Sequence, residues 1–174
     1  MEYLVERAKK GHKASFVKLI DQVKEKAFRT AYMHLGNNED AKDALQETIL
    51  KAYEKISALR ENRFFETWFI RILLNECNDL LRERSKIISI REKEAAKSVL
   101  YEEENTGSVE MKIMIRNLPK IYREVIDLRY NHDMKVEQIG DVLGIPSGTV
   151  KSRLHMALLL LRKKLVREEA GNEV

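Results

Sequence analysis

Apolar side chains recur every three to four residues along nearly the whole of this 174-residue chain, and only two prolines and seven glycines interrupt them. That spacing is the period of an amphipathic α-helix, whereas a half-buried strand alternates with period two. Phe16, Leu19, Ile20, Val23, Ala27, Ala31 and Leu35 line up along one helix face. Gly36 follows as a C-cap, since glycine enters the left-handed region without strain. Asn37 or Asn38 can cap a second helix with Glu39 and Asp40 in its first turn, where the helix dipole favours acids. That helix carries Ala41, Ala44, Leu45, Ile49, Ala52, Tyr53 and Ile56 on its apolar side, and a third runs from about Phe65 to Glu83. Its stretch Trp68 to Leu74 is apolar nearly all round, which places it in a core. No convincing period-two segment exists, so the fold class predicted is all-α, and a turn-rich β-sandwich is excluded.

Composition removes several function classes. With 44% hydrophobic and 34% charged residues the chain suits a globular protein and not a disordered tail. No charge-free run is long enough to span a bilayer, and the opening Met1-Glu2-Tyr3 lacks the core of a signal peptide, so the expected location is cytoplasmic, without stable membrane insertion. The single Cys77 cannot form an internal disulfide or supply a multi-thiolate metal site. No metal or cofactor is expected, and no nucleophile–base pair or phosphate-binding loop suggests an enzyme. The net charge of +4 is small, so its distribution matters more than its sum.

Large apolar residues thin out between Ser85 and Ser108, where basic and acidic residues alternate before the run Glu102-Glu103-Glu104. The chain therefore divides into a helical domain over 1–85, a flexible linker over 86–108 and a second helical domain over 109–170. In the second, Pro119 suits a first helical turn, followed by Ile121, Val125 and Leu128 on one face. A short helix over Val136 to Leu143, a turn at Gly144 and a long helix from Ser147 complete it.

The segment Val136 to Val150 has the pattern of a helix-turn-helix. Two crossing helices need a small residue where they touch, a glycine in the turn and apolar residues gripping the crossing. Gly140 and Gly144 meet the first two needs, and Ile139, Leu143, Ile145 and Val150 the third. The second helix of such a unit enters the major groove by its N-terminal end, which here offers Ser147, Thr149, Lys151, Ser152 and His155. From Pro146 to Leu165 there are five basic residues (Lys151, Arg153, Arg162, Lys163 and Lys164) and no acid. Leu158 to Leu161 are expected in the core.

The first domain has two polar features. Asp40, Asp43, Glu47 and Glu54 lie near one flank of a helix, which reads either as a solvated face or as a polar docking face for a partner. Next comes a basic, aromatic stretch, Arg60-Glu61-Asn62-Arg63-Phe64-Phe65, leading into a helix with Arg71, Asn75, Asn78, Asp79, Arg82 and Arg84. Cationic and aromatic groups together can hold phosphates and stack unpaired bases. Trp68 reads as a core anchor, and the loop before it as the better contact for single-stranded DNA.

Taken together, these blocks resemble the compact extracytoplasmic-function (ECF) group of bacterial RNA polymerase sigma factors. Asp40 to Thr48 looks like the helix of sigma region 2 that docks on core polymerase. Phe65 to Asn75, continuing to Asp79 and Arg82, looks like its −10 element helix, and Leu118 to Leu154 looks like region 4. The resemblance implies a non-catalytic specificity subunit that directs promoter-specific, stress-responsive initiation. Asp40, Asp43, Gln46, Glu47 and Lys51 would bind polymerase at the clamp coiled coil of the largest subunit, with a further contact at the flap. Arg60, Asn62, Arg63, Phe64, Arg71, Asn75, Asn78 and Arg82 would meet melted −10 DNA. Ser147, Thr149, Lys151, Ser152, Arg153, His155 and Arg162 would read the duplex −35 element. The linker would thread toward the RNA exit path, and an anti-sigma factor, often membrane-bound, would hold the protein inactive.

The departures from that pattern are Lys42 for an acid, Ala44 for a large aliphatic, Lys135 for a Ser/Thr cap, Gly140 for alanine and Met156 for arginine. The changes at Lys135 and Gly140 would each cost on the order of 1 kcal/mol of local helix stability. The alternative is a helix-turn-helix regulator that binds duplex DNA unaided, its first domain serving dimerisation or sensing.

Overall fold

The computed structural model describes residues 1–88 and 109–171. The chain divides into two compact units between Leu100 and Tyr101. All regular structure among the described residues is helical. The expected linker lies outside them, apart from the last turn of one helix.

The first unit begins with α1 (Glu2–Lys9) and the long α2 (Lys13–Leu35), followed by α3 (Asn38–Lys55) and α4 (Phe65–Ile88). Two short 3-10 turns, Ile56–Ala58 and Asn62–Phe64, join α3 to α4. Helix boundaries follow local chemistry. The His12 ring nitrogen accepts from the Ser15 N–H at 3.2 Å and caps α2. Gly36 ends α2 at φ 79°, in the left-handed region where a side chain is strained. Asn37 Oδ1 accepts from the Asp40 N–H at 2.9 Å and starts α3. Helix α4 continues to Ile88, past the stop expected near Glu83.

Helices α2, α3 and α4 pack on one another, and α1 packs on α2 and both 3-10 turns. Phe16, Leu19, Ile20, Val23, Ala27 and Ala31 face the core from α2, and Phe65, Phe69, Ile70, Leu73 and Leu74 from α4. Small Ala41, Ala44 and Ala52 let α3 come close. Trp68 sits at the edge of this core, half-buried, its ring 6.0 Å from that of Phe65. Cys77 is free and buried.

The second unit contains α5 (Val109–Arg116), α6 (Lys120–Tyr130), α7 (Val136–Leu143) and α8 (Ser147–Gly171). Helix α8 packs against α5, α6 and α7. Met114, Leu118, Ile126, Ala157 and Leu161 form one buried cluster, with Leu154, Leu160 and Leu165 packed against it. The expectation that Leu158 to Leu161 all lie in the core is corrected: Leu161 is buried, but Leu158 and Leu159 are exposed. Successive helical residues point about 100° apart, so four in a row cannot face one side. Ile121, expected beside Val125 and Leu128, is likewise exposed.

Candidate nucleic-acid and polymerase interfaces

The helix-turn-helix is built around a missing side chain. Gly140 is buried in α7, and a Cβ there would stand 2.8 Å from the backbone oxygen of Ile145. Glycine lets the turn fold directly under α7, and the Gly140 carbonyl accepts from the N–H groups of Gly144 and of Ile145, the latter at 3.0 Å. Gly144 holds the turn at φ 65°. Val150 and Ile139 fill the crossing, both fully buried. Lys135 precedes α7 without a side-chain acceptor to cap it. Instead the Gln138 Oε1 reaches back to the Lys135 N–H at 2.9 Å and supplies half of a capping box.

This crossing presents the first turns of α8 to solvent. Ser147, Lys151, Ser152, His155 and Arg162 are exposed, while Thr149 and Arg153 are half-buried. Ser152 Oγ donates to the Thr149 carbonyl at 3.0 Å, so its hydroxyl is already oriented. The positive charge of Arg153 acts on Glu124 of α6. Burial nonetheless pushes the Glu124 carboxyl above its ordinary range, against the pull of Lys120, Arg153 and Arg123. Arg123 is lowered by its own burial, and it donates to the Arg116 carbonyl at 2.7 Å, closing the end of α5.

In the first unit, Arg71, Asn75 and Arg82 are all exposed on α4. Their spacing of four and then seven residues keeps them on one face of the helix. Asn78 is different: it is half-buried, and its Oδ1 lies 3.1 Å from Nε2 of the buried His34 on α2. Its carboxamide thus serves packing between α2 and α4. In the loop, Arg60 and Arg63 are exposed and Asn62 and Phe64 half-buried. The Arg63 guanidinium lies 4.6 Å from the Phe64 ring centroid and pairs with Glu61 at 2.6 Å. An aromatic face and a guanidinium are therefore already stacked at the loop tip.

Along α3, Asp43, Gln46 and Glu47 are exposed. Asp40 and Lys51 are tied to α4. Asp40 takes a two-pronged ion pair from Arg84 and retains 14% side-chain exposure. Lys51 bonds Glu76 at 2.6 Å and lies 3.6 Å from Glu47. The Glu76 bond holds the lysine above its ordinary pKa. Exposed Leu50 and Tyr53 adjoin this row. They add apolar area to the same helix; Tyr53, expected on its apolar side, is exposed, with its ring edge-on to Phe16 at 5.1 Å.

A helix-turn-helix with a basic second helix, joined in one chain to a separate helical unit bearing a cationic–aromatic loop, defines a DNA-binding transcription protein. Sigma-70 region 2 matches residues 19–87, and sigma-70 region 4 matches residues 110–161. The ECF RNA polymerase sigma factor SigW of Bacillus subtilis is 33% identical, the match covering 92% of this chain and 94% of that protein. The RNA polymerase sigma factor SigV of the same organism is 31% identical over 94% of this chain and 98% of its own. Among solved structures, the sigma factor RpoE of Bartonella quintana, in complex with the anti-sigma factor NepR, shares the fold at a TM-score of 0.78 and 24% identity. That match covers 86% of this chain and 96% of RpoE. The chain belongs to the ECF RNA polymerase sigma factors. As a member it is a non-catalytic initiation factor, acting with RNA polymerase to direct transcription from specific promoters. Among the described residues, no helix is long and apolar enough to cross a membrane.

Proposed function

We propose that the two units divide promoter recognition, with residues 1–85 binding core polymerase and the −10 element, 86–108 linking, and 109–170 reading the −35 element. The observation that carries this reading is the exposed N-terminal end of α8, held out by the α7–α8 crossing and free of acids. Lys151, Ser152 and His155 face bases, with Ser147 and Thr149 at the helix start, where N–H groups favour phosphate. Arg153 and Arg162 add phosphate contacts.

At −10, the Arg60–Phe64 loop and the Arg71, Asn75 and Arg82 face take up the melted strand. Unstacking a base costs a few kcal/mol, and the Arg63–Phe64 pair offers a surface to receive it. Asn78 supports that face from behind. Core polymerase docks on α3 through Asp43, Gln46 and Glu47, while Asp40 and Lys51 shape the face through their bonds to α4. The clamp coiled coil is the docking element, with the flap a second contact for the C-terminal unit. An anti-sigma factor covers these surfaces in the resting cytoplasm and can tether the protein at a membrane.

Transcription of fragmented genomic DNA by purified core polymerase, with and without this protein, tests the reading. New RNA 5′ ends sharing two upstream elements are expected. Their absence, with unaided footprinting of duplex DNA, would overturn it.

A further inference from the structure

Helix α1 precedes the residues matched by sigma-70 region 2, which begin at 19. It nevertheless packs on both 3-10 turns of the loop assigned above to the −10 strand. Val5 and Ala8 anchor it in the core. On the next residue, the Lys9 ammonium donates to the Leu59 carbonyl at 2.6 Å and to Asn62 Oδ1 at 3.2 Å. These partners lie 50 and 53 residues away, at the two ends of the bend between the 3-10 turns.

We infer that Lys9 is a positioning residue for −10 recognition, clamping the loop's main chain at Leu59 and fixing the carboxamide of Asn62. The inference rests on the promoter reading above. An Asn side chain can present oxygen or nitrogen, and a base reads the two oppositely. A lysine has donors only, so it takes the oxygen of Asn62 and turns the Nδ2 donor the other way. The 2.6 Å bond to the Leu59 carbonyl holds the bend in place, so the loop groups keep their positions when a strand arrives. Lys10 supplies the control for charge: one residue on, it carries the same charge, and its ammonium pairs with Glu6 at 2.8 Å.

The test compares Lys9→Met, Lys9→Arg and Lys10→Met in the full chain. Hydrogen exchange of the free protein reads the clamp directly. Amides over 59–64 should exchange faster in Lys9→Met and be restored toward wild type in Lys9→Arg, which keeps a donor of similar reach. Unchanged exchange in Lys9→Met overturns the clamp whatever the promoter data show. Holoenzymes are then assayed on the genomic-fragment pool. Lys9→Met should lose about tenfold in start-site use and broaden the base preference at −10, with core binding kept, while Lys10→Met should not. Equal losses in both variants would mean that only phosphate attraction was removed and would overturn positioning. If wild-type holoenzyme yields no starts, the promoter reading fails and this use of the clamp fails with it, although the exchange result still decides whether the clamp exists. Should Lys9→Met not fold, Lys9→Gln replaces it, its shorter neutral side chain being expected to leave the Leu59 bond unmade.

Discussion

Arg84, in the last part of α4, grips both carboxylate oxygens of Asp40, in the first turn of α3 and 44 residues earlier in the chain. Asn37 donates to the same carboxylate. The acid in the first turn of α3 is therefore bound on two sides by its own protein, and these bonds fix α3 against α4. Two-pronged geometry and partial burial place this pair at the upper end of surface ion pairs, about 1 kcal/mol. Urea unfolding followed by Trp68, the single tryptophan, should show Asp40→Asn and Arg84→Met each destabilising the first unit. The double variant should be less destabilised than the sum of the two. Strict additivity would mean that the pair contributes nothing.

Asp43 and Glu47 carry the opposite expectation. Both are exposed, so reversing their charge as Asp43→Lys plus Glu47→Lys should lower the unfolding midpoint only slightly, through loss of the 3.6 Å Lys51–Glu47 pair. Affinity for core polymerase should fall about tenfold or more, because the variant replaces two acids of the proposed docking face with cations. Equilibrium binding to fluorescently labelled core polymerase measures it, and undiminished affinity would remove α3 as the docking face.

Lys151→Ala plus Ser152→Ala should abolish dependence on the −35 sequence while core binding persists. Neither side chain is buried, so the α7–α8 crossing should remain folded. Transcription from templates with intact and scrambled −35 elements reads the effect. A loss of core binding in this variant would count against the division of labour between the units.

Gly140→Ala sets two effects against each other. Alanine gains about 1 kcal/mol in helix propensity, which is the sense in which the sequence alone makes glycine here a liability. The added Cβ, however, would stand 2.8 Å from the Ile145 oxygen, and that atom belongs to backbone that cannot rotate away. Overpacking of this kind costs about 1–3 kcal/mol; a backbone obstruction at 2.8 Å belongs in the upper part of that range, so the clash wins. Calorimetry should show a lower melting temperature for the second unit together with weaker −35 binding. A raised melting temperature would show that the turn relaxes freely.

Glu124→Gln should stabilise the second unit at neutral pH. Burial raises the folded carboxyl above its ordinary value of 4.5, so the ionised form is penalised in the fold. That penalty is fully present above the folded pKa and disappears below the unfolded one. Wild type should therefore gain stability as pH falls through this window, and the advantage of Glu124→Gln should close by about pH 4.5. Melting temperatures at pH 7 and pH 4 compare the two. A less stable variant at pH 7 would mean that attraction to Lys120, Arg153 and Arg123 outweighs burial.

Local chemistry was readable from the chain alone. Gly36, Asn37 and Gly144 each act at the cap or turn that their side chains, or lack of one, make favourable, and Gly140 lies at the helix crossing. The common face of Arg71, Asn75 and Arg82 follows from helical period. What the sequence hid was pairing between distant elements. Nothing in the spacing of residue 9 and residues 59 and 62, of 40 and 84, of 51 and 76, or of 34 and 78 marks them as partners, because such bonds exist only after the helices pack. Helix α1 escaped for a different reason: its eight residues include only two buried ones, Val5 and Ala8, too few to establish a period.

The continuity of α4 gives its exposed face a fixed gauge. From Arg71 to Arg82 the helix advances about 16 Å without a break, since each residue adds about 1.5 Å. If this face meets a nucleotide strand as proposed, its groups do so as marks on a ruler, all in phase or all out. Inserting one residue between Asn75 and Arg82 would swing the distal arginine by about 100°, away from the strand altogether. Substitution can change the side chains along this face one at a time, but no small step changes the spacing between them.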